Sequence, residues 1–147
     1  QIVGYPIVQL QEDRRDAHRY LRDLEQVLIL TLADFGIAGA RQPAHTGVWV
    51  GDEKIAALGV RLTRWITSHG FALNVSTELD YFDLIVPCGI AGVTMTSVQR
   101  ELGSAAPADL AAATREAVTE AFGRVFDRTL HPAMFEDWNL AAPRLPF

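Results

Sequence analysis

From Ala17 to Phe35 the apolar residues return every three or four positions, at Ala17, Tyr20, Leu21, Leu24, Val27, Leu28, Thr31 and Phe35. That period is the period of one face of an α-helix. The changed pattern begins at Asp13, and Gly36 stands where a left-handed cap would stop the turn. A long amphipathic helix has to bury its stripe against another layer, so the segments around it should supply a sheet.

They do so with short apolar runs. Residues 2–9 are rich in Val, Ile and Tyr, and Pro6 points to an edge strand or a bulge. Gly47–Val50 and Ile55–Val60 are separated by the polar Gly51-Asp52-Glu53, the pattern of a hairpin in which Lys54 stands where the turn re-enters the sheet. Residues 66–75 form a further strand, interrupted by Gly70, where a bulge or a close backbone approach is expected. Strand following strand predicts a largely antiparallel sheet, and hence an α+β fold. Thr96 or Ser97 can cap a short helix to Leu102 that Gly103 ends. A second long helix is predicted from about Pro107 to Thr129, and the tail from His131 to Phe147 should wrap the surface in extended form.

With 147 residues the chain is the size of one domain, and 49% hydrophobic with 21% charged residues is ordinary globular composition. A formal charge of -5 with scattered arginines weighs against nucleic acid as a partner. No apolar run reaches the length that spans a bilayer, and the chain does not open on a signal-peptide pattern, so a cytoplasmic setting with no membrane association is expected. The chain starts at Gln1 without an initiator Met, on a segment that reads like the inside of a strand.

Two residues occur once each. Of the 13 basic residues, Lys54 is the sole lysine and the others are arginines. Arginine cannot give up its proton at usable pH, whereas a desolvated lysine can, and its compact ammonium can hold a thiolate. The sole cysteine is Cys88, between Pro87 and Gly89, a setting that leaves the sulfur uncrowded. A free thiol with a pKa near 8.5 is only a few per cent thiolate at neutral pH, and a nearby cation raises that fraction. By themselves these residues leave the ordinary reading open, with Cys88 a small buried hydrophobe and Lys54 a solvated cation. His69, beside a glycine on a strand, is more often a structural donor than a proton carrier, and is not counted as catalytic. His18, His45 and His131 have no metal-ligand spacing relative to Cys88, so no metal and no cofactor are expected. Neither a G-x-S-x-G elbow nor a Walker-type loop is present.

Three segments, Lys54-Ile55-Ala56-Ala57-Leu58-Gly59, His69-Gly70-Phe71-Ala72-Leu73-Asn74-Val75 and Pro87-Cys88-Gly89-Ile90-Ala91-Gly92, together resemble those of the octanoyl-carrier-protein:protein octanoyltransferases of the lipoate pathway. The likeness runs from the first residue to about Gly103. It implies the fold shared by biotin and lipoate protein ligases, a mixed sheet with packed helices, and one catalytic domain over residues 1–147. It also implies that an Arg-Gly-Gly to His-Gly-Pro-Gly-Gln stretch, ending at Gln1, forms a missing N-terminal part. The implied activity is transfer of an octanoyl group from octanoyl-acyl carrier protein to a lysine of lipoyl domains, those of 2-oxoacid dehydrogenases and the glycine cleavage H protein, without ATP. Cys88 would carry the acyl group as a thioester, Lys54 would lower the thiol's pKa, and Ala57, Leu58, Gly59, Gly70, Phe71 and Ala72 would line the acyl pocket. The acidic carrier would meet a basic face, for which Arg41, Arg61 and Arg64 are nearest in sequence. Two alternatives stand beside this: an ATP-dependent lipoate or biotin ligase needing no cysteine, and a non-catalytic fragment that binds acyl-carrier or lipoyl domains.

Overall fold

The computed structural model describes residues 1–43, 45–90 and 92–134, except the side chain of Cys88. A five-stranded sheet, in the order β1-β5-β4-β3-β2, is built from β1 (Ile2–Gly4), β2 (Ala40–Gln42), β3 (His45–Val50), β4 (Glu53–Thr63) and β5 (Ile66–Leu73). Every ladder is antiparallel, and the parallel element is a single bridge between Lys54 and Met95. Helices α1 (Ala17–Asp34) and α3 (Leu110–Phe126) pack together, with α1 lying on β3, β4 and β5; the short α2 (Val98–Leu102) follows the bridge. On its other face, among the described residues, Val3 and Gly59 are exposed and Ala57 and Ala72 half-buried.

The boundaries of α1 follow from its caps. Asp16 is the N-cap, its carboxylate accepting from the backbone N–H groups of His18 and Arg19 at 2.8 and 3.1 Å. At the other end Gly36 takes φ +73°, and the N–H of Ile37 reaches the Leu32 carbonyl at 2.9 Å while that of Gly36 reaches Ala33. This is a Schellman motif, with Ile37 and Leu32 meeting in the core beyond it. The Arg19 N–H bond, opposed by partial desolvation and helped by His18, holds the Asp16 carboxyl below the ordinary 3.8. A group lowered in the folded state contributes stability above its unfolded pKa and loses it as pH falls through the folded value. Asp16→Asn, which keeps the cap but cannot titrate, should therefore flatten the acid limb of a melting-temperature-against-pH curve.

The core has two joined parts. Leu28, Leu32, Val48, Ile55, Ala56, Leu73, Val75 and Val98 fill one, under α1; Tyr20, Leu24, Val27, Ala121 and Phe126 fill the other, between the helices. Leu73 is completely buried and faces both Ile2 and Ala56 across its neighbours. Leu73→Ala should cost about 2–5 kcal/mol, read as a lower urea midpoint at unchanged slope.

Several boundaries move. The predicted strand over 2–9 shrinks to three paired residues and one bridge from Gln9 to Ile66, because Pro6 has no N–H to give the ladder. Gly70 is the site of a close approach: a Cβ there would stand 2.3 Å from the Gly4 carbonyl oxygen and 2.6 Å from Pro6 Cδ. The hairpin turn is Gly51-Asp52, with Glu53 already paired to Val50 and Gly51 at φ +56°. Helix α3 begins after Asp109, whose carboxylate accepts from the Ala112 N–H, and ends at the left-handed Asp127, inside the predicted span 107–129. Ser97 caps α2 as expected. Of the tail, His131–Met134 carry no regular structure, and residues 135–147 lie outside the described set.

Candidate active site

Lys54, the second residue of β4, is only 1% exposed. Its backbone is held from both directions, the N–H donating to the Thr94 carbonyl at 2.8 Å and its carbonyl accepting from Thr96 at 3.0 Å. The register between β3 and β4 slips here, so that Val48 faces Ala56 while Trp49 faces Lys54. Val48, Ile55 and Ala56 enter the core, and Lys54 instead lies against Trp49, its Nζ 5.5 Å from the indole centroid, a cation–π distance. Gly47, at φ +141°, completes the cradle: a Cβ there would stand 2.6 Å from Lys54 Cε and 3.3 Å from Nζ. A cation taken out of water must be compensated by its surroundings.

The backbone of Pro87–Gly89 forms a tight 3-10 turn, closed by Gly89 N–H to Val86 and Ile90 N–H to Pro87, with Gly89 at φ +68°. The side chain of Cys88 lies outside the described residues. Between Cys88 and the Thr94 that bonds Lys54 run few enough residues to bound their separation at about 20 Å. Asn74 fastens the far end of that segment, its Nδ2 donating to the Thr96 carbonyl at 3.0 Å and its own carbonyl accepting from Val98. Gln1 in turn donates to Asn74 Oδ1 at 2.9 Å. Just before the turn, Tyr81, Leu84, Ile85 and Val86 are exposed.

On the face of the sheet away from α1 is a groove of about 610 Å³ whose lining includes Ala57, Leu58, Gly59, Gly70, Phe71 and Ala72, the six residues that the resemblance names for an acyl pocket. Cross-strand pairing makes the grouping: Ala57 faces Ala72, Leu58 faces Phe71 and Gly59 faces Gly70. Val3 and Tyr5 of the edge strand form the wall. Phe71, 5% exposed, and Leu58 place their side chains in the core, so the small residues between them make the floor. His69 stands at the lip, exposed, at φ +60° and edge-on to Tyr5 at 6.2 Å. A separate cavity of about 570 Å³ opens on the helix side around Tyr20, Phe122 and Phe126 and contains none of the expected groups.

The basic residues divide differently from their sequence proximity. Arg61 lies seven residues along an extended strand, about 23 Å beyond Lys54, and Arg64 sits in the turn after it. Arg41 is committed to Glu25, at 3.0 Å. An exposed cation near Lys54 is Arg100, bound to Glu53 at 3.2 Å and to the Met95 carbonyl. Sequence reasoning missed Arg100, Trp49 and Glu25. Among the described residues no group of three or more His, Cys, Asp or Glu could hold a metal ion, and no helix is long and apolar enough to cross a membrane.

Residues 1–125 match the model of the lipoyl protein ligase A/B catalytic domain. The chain belongs to that family. Among curated relatives of this lipoyl protein ligase A/B domain, an octanoyltransferase of Myxococcus xanthus is 53% identical over 133 residues, covering 86% of this chain and 36% of the relative. One of Rubrobacter xylanophilus is 55% identical over 120 residues, covering 81% and 52%. The chain thus spans about half the length of these relatives or less. Lipoate-protein ligase A bound with ATP shares the fold at a TM-score of 0.59 and 15% identity, over 85% of this chain and 50% of that one. A T. acidophilum protein solved with bound lipoic acid does so at 0.61 and 14%, over 85% and 49%.

Proposed function

We propose that the protein carrying this chain is an octanoyltransferase acting in the cytoplasm. It takes an octanoyl group from octanoyl-acyl carrier protein and delivers it to a lysine of a lipoyl domain, in 2-oxoacid dehydrogenases or the glycine cleavage H protein. The observation that carries the proposal is the buried Lys54 at the head of the strand whose next turn of sequence floors the groove. The names of the relatives support it.

In the first step the Cys88 thiolate, stabilised by the Lys54 ammonium, attacks the thioester carbonyl; the carrier's thiolate leaves and takes its proton from that ammonium, which leaves Lys54 neutral. In the second, the lysine amine of the lipoyl domain attacks the new thioester, Cys88 leaves as thiolate, and the amine's proton passes to a base, for which Lys54 in its neutral form is the candidate. The acyl chain lies on Ala57, Gly59, Gly70 and Ala72, where the absence of bulky side chains leaves it room. Each methylene shielded from water there contributes about 0.8 kcal/mol. Thioester exchange is nearly balanced and amide formation runs downhill, so the cycle needs neither ATP nor a cofactor.

Incubating the full-length protein with octanoyl-carrier protein should yield one octanoyl group on the Cys88 peptide. A protein that stays unmodified, yet octanoylates a lipoyl domain from free octanoate and ATP, would be a ligase instead. Partner binding without any transfer would leave a docking module.

A further inference from the structure

We infer that Glu25, a residue of α1 that lines no part of the groove, is a positioning residue for the Lys54 amine and acts through Gly47. The inference rests on the proposed thiol-activating role of Lys54. Glu25 is 1% exposed, a carboxylate inside the layer between helix and sheet. Its Oε2 meets Arg22 at 2.7 Å and Arg41 at 3.0 Å, which accounts for the charge. Those pairs do not account for Oε1, which accepts the backbone N–H of Gly47 at 3.2 Å.

Gly47 is the surface on which the Lys54 side chain rests. A Cβ at that position would collide with Lys54 Cε and with the Ala56 carbonyl oxygen, at 2.6 and 2.8 Å. Trp49, two residues along the same strand, closes the opposite side, and its own outer neighbour is His45 at 6.0 Å. The amine is therefore clasped by one short piece of β3, and the carboxylate of α1 pins that piece by its first residue. The bulge that turns Trp49 toward Lys54 lies directly between the two. Charged or titratable groups around the clasp among the described residues include Arg22 and Glu25 from α1, Arg41 from β2, His45 from β3, Glu53 and Lys54 from β4 and Arg100 from α2. An N–H released from Glu25 would let the Gly47 peptide rotate, and the amine would lose its fixed distance to whatever it serves.

The test is the pH dependence of Cys88 alkylation by iodoacetamide in the full-length protein, compared among the parent, Lys54→Ala, Glu25→Ala, Glu25→Gln and Gly47→Ala. Lys54→Ala should move the profile to higher pH, slowing alkylation at neutral pH roughly tenfold or more. Glu25→Ala should move it the same way by a smaller amount. Glu25→Gln, which keeps an oxygen for the Gly47 N–H, should return it toward the parent. A Glu25→Ala profile that superimposes on the parent while Lys54→Ala is displaced would overturn the inference and leave the dyad standing. No displacement in Lys54→Ala would overturn the dyad, and the inference with it. Should Glu25→Ala fail to melt cooperatively, Gly47→Ala takes its place, crowding the amine from the same side, and an unshifted profile there is equally fatal.

Discussion

Cys88→Ala should leave a folded protein that no longer transfers octanoyl groups, with turnover lower by a factor on the order of 10⁴ or more. The turn that carries Cys88 is closed by main-chain bonds, Gly89 to Val86 and Ile90 to Pro87, and neither uses the side chain. Substitution should therefore leave those main-chain bonds of the turn in place. Intact-mass spectrometry after mixing with octanoyl-carrier protein should show an octanoyl increment on the parent and none on the variant. A lipoyl domain supplied as acceptor should stay unmodified. Undiminished transfer by the alanine variant would remove the covalent intermediate from the mechanism.

Lys54→Ala should come next in size. Acyl-enzyme formation in a single turnover should slow about 10²–10³-fold at neutral pH, with recovery as pH rises and the thiol ionises unaided. Lys54→Arg should not rescue it, although the charge is retained. The space between Gly47 and the Trp49 ring admits a linear amine, whereas a guanidinium is planar, wider and unable to give up a proton in the second step. Rescue by arginine at all pH values would mean that charge alone is what the site requires.

Sequence pattern and structure agree where a single period decides the matter. The stripe from Ala17 to Phe35 had one solution, and the Gly36 stop behaves as its lack of a Cβ demands. The family resemblance proposes six residues for the acyl pocket, and cross-strand register explains why they, on two separate segments, line one groove. β2 was not legible, because Ala40-Arg41-Gln42 has neither alternation nor β-branched residues. The β4–β5 turn was also hidden: Arg64 and Trp65 both adopt positive φ, a conformation normally signalled by Asn or Gly. Glu25 looked like an ordinary polar residue on a helix. Its burial is decided by Arg41 and Gly47, 16 and 22 residues away, which no local pattern reports. Arg61 shows the converse, since nearness to Lys54 in sequence becomes distance once the strand is extended.

The peptide hydrogens of Lys54 and Thr96 are shared between the first residues of β4 and the stretch that follows the cysteine turn. Those two amides consequently form a latch with a readable clock. If loading or unloading of the acyl chain loosens the loop, both protons should exchange with deuterated solvent faster and in step, while the Leu32–Ile37 bond at the end of α1 keeps its own pace.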